Sequence, residues 1–226
     1  MFENGLDLAR LIDHTLLSPT ATPDDIDRLC GEARGYSFYS VCVNPCHVAL
    51  ASMLLKGSGV KVCSVVGFPL GANTGTVKVM EGVESIRNGA EELDVVMNVG
   101  LFKAGEYERA ARELKEFVMF TPGVVHKVII EACYLTDPEK AGASRMVAEV
   151  GAEFVKTSTG FGPSGAKATD VIIMKEAAVG KSKVKAAGGI RDLETLTRMV
   201  EAGAERIGTS SGVAIVEEFL KRRGPV

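Results

Sequence analysis

Gly89-Ala90-Glu91-Glu92-Leu93-Asp94-Val95-Val96 runs from a helix stop into a short apolar strand. The same hand-off recurs at Gly151-Ala152-Glu153-Phe154-Val155-Lys156 and at Gly203-Ala204-Glu205-Arg206-Ile207-Gly208. A glycine supplies the left-handed position that ends a helix, so each Gly-Ala-Glu marks a passage from helix to strand. The copies lie about sixty and about fifty residues apart, two strand–helix units each if a unit takes roughly 25–30 residues.

Working outward from these copies, short apolar stretches alternate with amphipathic ones. Strands are expected at Leu11–Leu16, Phe38–Val43, Lys61–Val66, Leu93–Asn98, Lys127–Ala132, Phe154–Ser158, Val184–Ala187 and Arg206–Thr209. Helical spacing links them, as in Tyr107, Ala110, Ala111, Leu114 and Val118, or after the N-capping Asp192. Alternating strand and helix with long crossovers implies parallel strands, and eight of them favour closure into a (β/α)8 barrel, the TIM-barrel class. An open doubly wound sheet is the alternative. It would normally carry a glycine-rich loop after its first strand, and Leu16-Leu17-Ser18-Pro19 is not one. No linker breaks the chain, so residues 1–226 read as a single domain with a short helical segment before the first strand.

With 226 residues, 46% of them apolar and 24% charged, the chain has the composition of a soluble globular protein. A net charge of −3 gives no reason to expect nucleic acid. No apolar run is long enough to span a bilayer, and Met1-Phe2-Glu3-Asn4-Gly5 lacks the zones of a signal peptide, so a cytoplasmic location is expected. Cys30, Cys42, Cys46, Cys63 and Cys133 are an odd set, read as buried reduced thiols. Cys42 and Cys46 have no second pair to complete a metal site; neither metal nor cofactor is expected. A homo-oligomer, a dimer or higher, is the default for a soluble enzyme.

Side chains of a strand alternate between its two faces. In Leu93–Asn98 the set Leu93, Val95 and Met97 suits the helices, which turns Asp94, Val96 and Asn98 toward the barrel axis. The same rule sends Phe154, Lys156 and Ser158 inward, with Lys185 and Ala187. Parity leaves Lys127–Glu131 open, with Glu131 a further residue for the axis. Asp94, Lys156 and Lys185 therefore converge near the C-terminal ends of strands, where active sites of this architecture lie. Buried charge is costly unless paired, hydrated or used, so a structural ion pair is the competing reading. A lysine becomes nucleophilic when a second cation disfavours its ammonium form, and a nearby acid can carry protons. Two lysines and an aspartate thus suit Schiff-base chemistry on a carbonyl. The three histidines, His14, His47 and His126, form no cluster for metal-assisted enolisation.

Two glycine loops follow the last two strands: Gly188-Gly189-Ile190-Arg191 and Gly208-Thr209-Ser210-Ser211-Gly212. Backbone N–H groups in such loops, with a helix N-terminus behind them, form an anion site, and barrels often hold phosphate there. The plainer alternative is two tight turns. Arg191 either joins that site or pairs with a surface acid.

The motifs Ile12-Asp13-His14-Thr15, Lys127-Val128-Ile129-Ile130-Glu131, Lys156-Thr157-Ser158-Thr159-Gly160 and Lys185-Ala186-Ala187-Gly188-Gly189 together resemble deoxyribose-phosphate aldolases over nearly the whole chain. The resemblance implies reversible cleavage of 2-deoxyribose 5-phosphate to glyceraldehyde 3-phosphate and acetaldehyde. It implies Lys156 as the Schiff-base lysine, Lys185 as the neighbour that depresses its pKa, and Asp94 in proton transfer. It implies phosphate contacts from Gly160, Gly188, Gly189, Gly208, Ser210 and Ser211, and an inward Cys42 that packs near substrate. Two positions depart from the pattern. Phe161 stands where some members carry a phosphate-binding lysine, and Lys221-Arg222-Arg223-Gly224-Pro225-Val226 has no tyrosine where some members end in one. Phosphate then rests on backbone groups and Arg191, and proton transfer on Asp94, Lys185 and water. The competing readings are a Schiff-base aldolase of the same fold for another phosphosugar, and a non-catalytic phosphosugar-binding barrel.

Overall fold

The computed structural model describes residues 2–223, so the Gly224–Val226 end of the tail lies outside the described residues. Its elements run α1 (Gly5–Ala9), β1 (Ile12–Leu16), α2 (Pro23–Tyr36), β2 (Ser40–Val43), α3 (Val48–Leu54), β3 (Lys61–Val66), α4 (Gly75–Arg87) and β4 (Glu92–Val96). They continue α5 (Val99–Lys103), α6 (Tyr107–Phe120), β5 (Val125–Ile129), α7 (Asp137–Val150), β6 (Phe154–Lys156), α8 (Ala168–Ala178), β7 (Lys183–Ala187), α9 (Leu193–Glu201), β8 (Arg206–Thr209) and α10 (Gly212–Arg223). The eight strands close in chain order into a parallel barrel, with β8 paired to β1. The open-sheet alternative is thereby excluded.

The Gly-Ala-Glu copies work as their chemistry requires. Gly89, Gly151 and Gly203 take φ values of 104°, 88° and 109°. The alanines are buried, and in two copies the alanine N–H closes the helix end, from Ala90 to the Ser85 carbonyl and from Ala204 to Met199. The glutamate N–H then enters the sheet, Glu91 onto Val62 and Glu205 onto Val184. Helix starts are equally local. Thr22 and Thr136 form capping boxes with Asp25 and Glu139, and the Asp192 carboxylate accepts the Thr195 N–H at 2.7 Å.

Parity along the strands is also met. Leu93, Val95, Met97, Val155, Val184 and Ala186 belong to the apolar layer between barrel and helices. A second, small cluster of Leu17, Cys42, Cys63 and Val65, with Phe68 over it, is separate from that layer. Three expectations are corrected. β4 ends at Val96, so Asn98 is not a barrel residue; its side chain caps α5 by accepting the Leu101 N–H. On α6, Tyr107 is exposed while Phe117 is buried. The thiols are not all buried either: Cys46 is exposed on the turn after β2, and Cys133 is half-buried. No described helix is long and apolar enough to cross a membrane.

The loop after β3 folds back onto the end of β4. At Gly71, with φ of 67°, an added Cβ would lie 2.1 Å from the Met97 carbonyl oxygen. Gly57 has a similar φ of 77° and open space around it. Gly71→Ala is expected to lose about 3 kcal/mol of stability in urea unfolding, and Gly57→Ala about 1 kcal/mol. Equal losses would show that the close approach to β4 does not constrain this loop.

Candidate active site

The barrel interior holds a charged cluster larger than the sequence suggested. Asp94 is wholly buried and accepts three lysines: Lys127 on Oδ1 at 2.7 Å, with Lys156 and Lys185 both on Oδ2 at 2.7 Å. Lys185 also reaches Asp13 Oδ2 at 2.5 Å, and Lys127 reaches Glu92 at 2.7 Å. Arg206 closes the set, 2.8 Å from Asp13 and 3.1 Å from Glu92, with its guanidinium 3.5 Å above the Tyr39 ring. Lys127, Lys156, Lys185 and Arg206 thus stand against Asp13, Glu92 and Asp94, four cations to three carboxylates.

Register explains how these residues meet. Asp94 lies opposite Lys127 across β4 and β5, Lys156 opposite Lys185 across β6 and β7, and Lys185 opposite Arg206 across β7 and β8. Burial alone would push the Asp94 carboxyl up, but Lys127, Lys156 and Lys185 hold it well below the usual carboxylate range. Asp13 follows the same logic: burial raises it, and Lys185, Lys127 and Arg206 bring it below its ordinary value. Burial would strip protons from Lys127 and Lys185, yet the carboxylates around them raise both above the usual lysine value.

Lys156 differs from the other two lysines in what it faces. It has one carboxylate contact, to Asp94, and it lines a cavity of about 350 Å³ at the C-terminal mouth of the barrel. Gly160, Gly188, Gly189, Arg191, Gly208 and Ser210 line the same cavity. Lys156 and the exposed Arg191 are the charged side chains on its wall. Ser211 is not on the wall; its N–H donates to the Thr209 hydroxyl at 2.9 Å as the chain turns toward α10. The groove of about 530 Å³ between α6 and α7 is larger but borders no buried cluster of this kind. A primary amine at the cavity wall, hydrogen-bonded to a buried carboxylate, can add to a carbonyl and keep a counter-ion for the cation that forms.

The sequence profile of the DeoC/LacD family aldolases matches residues 8–218. The deoxyribose-phosphate aldolase of Caldanaerobacter subterraneus subsp. tengcongensis is 52% identical over 223 residues, spanning 97% of this chain and 96% of that protein. That of Carboxydothermus hydrogenoformans is 53% identical over 217 residues, 94% of this chain and 95% of that protein. The tetrameric deoxyribose phosphate aldolase of Aeropyrum pernix superposes with a TM-score of 0.91 at 38% identity, covering 96% of this chain and 93% of that one. The chain belongs to the DeoC/LacD aldolase family. It is a carbon–carbon lyase.

Strand parity brought together Asp94, Lys156 and Lys185 of this aldolase but missed Asp13, Glu92, Lys127 and Arg206. The signal was present for two of them: Glu92 has the parity of Asp94, and Arg206 begins an expected strand. Lys127 also begins an expected strand and shares the parity of Glu131, but parity left that strand's faces open, and the strand itself starts two residues earlier, at Val125. Glu131 does not join the charged cluster; its carboxylate turns to Thr159. Cys42 does face inward, beside Cys63 in register, and away from Cys46. With Asp94 these two thiols offer three donor atoms within 4.8 Å of one another. Lys127 already stands 3.2 Å from the Cys63 sulfur and 2.7 Å from Asp94, so a metal ion there would meet like charge.

The two glycine loops divide their tasks. A Cβ at Gly165 would lie 2.1 Å from the Gly188 carbonyl oxygen, so the loops after β6 and β7 meet backbone to backbone. A Cβ at Gly208 would come within 3.2 Å of the Lys185 side chain, which makes this glycine the space through which Lys185 passes. Gly189, with open space around it, is free to approach a ligand.

The depressed carboxylates give the aldolase an acid limit. Their contribution to stability is fully present above the ordinary aspartate pKa of about 3.9 and is lost as pH falls through their lowered values. Asp13→Asn removes one such group while keeping the shape. It is expected to cost about 3–5 kcal/mol at neutral pH. Its urea-unfolding stability should also fall less steeply than the parent's from about pH 5 to about pH 2. Parallel profiles would show that Asp13 is not held by its cations.

Proposed function

We propose that this aldolase reversibly cleaves 2-deoxyribose 5-phosphate to glyceraldehyde 3-phosphate and acetaldehyde through a Schiff base on Lys156. One observation carries the reading: of the four cations in the Asp94 cluster, Lys156 alone pairs with a single carboxylate and opens to the cavity. The names of the relatives at about half identity support the substrate.

In this mechanism the Lys156 Nζ adds to the C1 aldehyde of the open-chain sugar, and the carbinolamine loses water to give an iminium ion. The C3 hydroxyl gives up its proton, the C2–C3 bond breaks, and its electron pair moves into the iminium. Glyceraldehyde 3-phosphate leaves, and a two-carbon enamine stays on the lysine. Protonation of the enamine carbon and hydrolysis then release acetaldehyde and the amine. The iminium carries the positive charge that an ammonium would carry, so Asp94 stabilises it each time it forms, on either side of the neutral enamine. Lys185 holds Asp94 Oδ2 beside Lys156, and Asp94 and Lys185 with water are the route for protons. The phosphate lies on Gly188, Gly189 and Ser210, with Gly160 and Arg191 at its edge, where backbone N–H groups and the start of α10 favour an anion. Phe161 supplies no charge there, so Arg191 is the side-chain cation available to it. Self-association belongs to the same reading and is supported by the tetramer named for the Aeropyrum pernix relative.

Borohydride reduction in the presence of acetaldehyde, followed by peptide mass mapping, is expected to place a two-carbon adduct on Lys156. An adduct elsewhere, or none while deoxyribose phosphate still binds, would sink the lysine assignment. Lys156→Arg keeps a cation on Asp94 and is expected to retain the fold by circular dichroism while losing cleavage by about a thousandfold or more.

A further inference from the structure

Glu131 is a buried acid that the mechanism above does not use, and its backbone is unusual. It takes φ 48° and ψ 65°, a left-handed conformation that a glutamate adopts at a cost. The ladder between β5 and β6 shows why. The Ile130 N–H donates to the Lys156 carbonyl at 3.0 Å, and the Ala132 N–H donates to the Thr157 carbonyl at 2.8 Å. A regular parallel ladder would advance two residues on both strands between these bonds. Here the second strand advances by one, so Glu131 is the extra residue of a bulge at the barrel rim. Bulges re-aim a side chain, and they gather beside active sites.

The re-aimed carboxylate lands on the loop that follows Lys156. It accepts the Thr159 N–H at 3.2 Å on Oε1 and 3.3 Å on Oε2, and the Thr159 hydroxyl donates to Oε2. That hydroxyl in turn accepts the Phe161 N–H at 3.0 Å. The same carboxyl group packs against Gly162, where an added Cβ would lie 3.3 Å from its carboxyl carbon. Thr159, Gly160 and Phe161 are all wall residues of the cavity. A strained backbone, a buried acid and a two-step hydrogen-bond chain therefore end on one wall.

We propose that Glu131 is a positioning residue, whose bulge delivers a carboxylate that fixes the β6–α8 loop as the wall against the phosphate end of the substrate. This rests on the phosphosugar reading given above. It acts through Thr159, so it controls how the phosphorylated substrate is held rather than the bond-breaking step.

The test compares kcat and KM for 2-deoxyribose 5-phosphate and for unphosphorylated 2-deoxyribose in Glu131→Ala, Glu131→Gln, Thr159→Val and the Glu131→Ala/Thr159→Val pair. Glu131→Ala is expected to raise KM for the phosphorylated sugar roughly tenfold, the scale of one charge-assisted hydrogen bond. For the unphosphorylated sugar, kcat/KM should change less than about twofold. Glu131→Gln keeps an acceptor oxygen and should recover most of the loss, and the double variant should be no worse than Glu131→Ala. Equal losses with both sugars, additive losses in the double variant, or an unchanged KM would each overturn the role. If Glu131→Ala does not fold, Thr159→Val answers the same question, since it is expected to raise KM for the phosphorylated sugar alone. Acetaldehyde trapping on Lys156 separates this idea from the one beneath it. An intact adduct with an unchanged KM removes only the Glu131 role, and a parent enzyme without an adduct removes both.

Discussion

The Asp94 carboxylate receives three lysine ammonium groups in the middle of the barrel, and the rest of the site is arranged around that fact. An isolated carboxylate at full burial would take up a proton, and an isolated lysine there would lose one. Asp94, Lys127 and Lys185 stay charged together, because each supplies the field the other needs. Only a closed parallel barrel brings such groups in from β1, β4, β5, β6, β7 and β8 at once, since alternate residues of every strand point to one axis. The stability for this comes from elsewhere. The apolar layer between strands and helices runs around the barrel and offsets an interior that would otherwise be costly.

That division explains what could be read from the chain. Leu93, Val95 and Met97 alternate with Asp94 and Val96, so the burial of one face betrays the other. The hand-off glycines are legible because left-handed helix ends have few chemical solutions. Lys127 and Asp13 were illegible for a different reason. Their importance depends on register between strands distant in sequence, which no local pattern records; the Asp94–Lys127 pairing spans β4 and β5, and Arg206 meets Asp13 across the closure. Asn98 and Glu131 broke the alternation where strands ended: one became a helix cap, the other the extra residue of a bulge. The period of two holds only while the ladder does.

The glycines show a similar limit. Gly188, Gly189 and Gly208 look alike as phosphate-loop residues, yet their surroundings differ. Gly208 makes room for Lys185, and Gly188 lets two loops touch. A single glycine-rich signature therefore combines a packing demand from the charged cluster with a binding demand from the cavity. Substituting Gly208 would disturb the lysine network before it disturbed any anion.

Lys156 sits where these demands meet. Deeper in the barrel, Lys127 and Lys185 are each held by at least two carboxylates and act as fixed charge. Toward solvent, Arg191 is exposed and lacks the low-dielectric surroundings that strengthen an electrostatic effect. Lys156 has one buried counter-ion below it and an open cavity above. It is thus buried enough to feel the field of the cluster and open enough to meet a carbonyl. A lysine moved two residues along β6 in either direction would lose one of these conditions, because the next inward positions are Phe154, toward the closed end, and Ser158, beyond the last strand residue. In the proposed mechanism the depth of Asp94 sets the reactive position, and the loops beyond β6, β7 and β8 need only present a substrate to it.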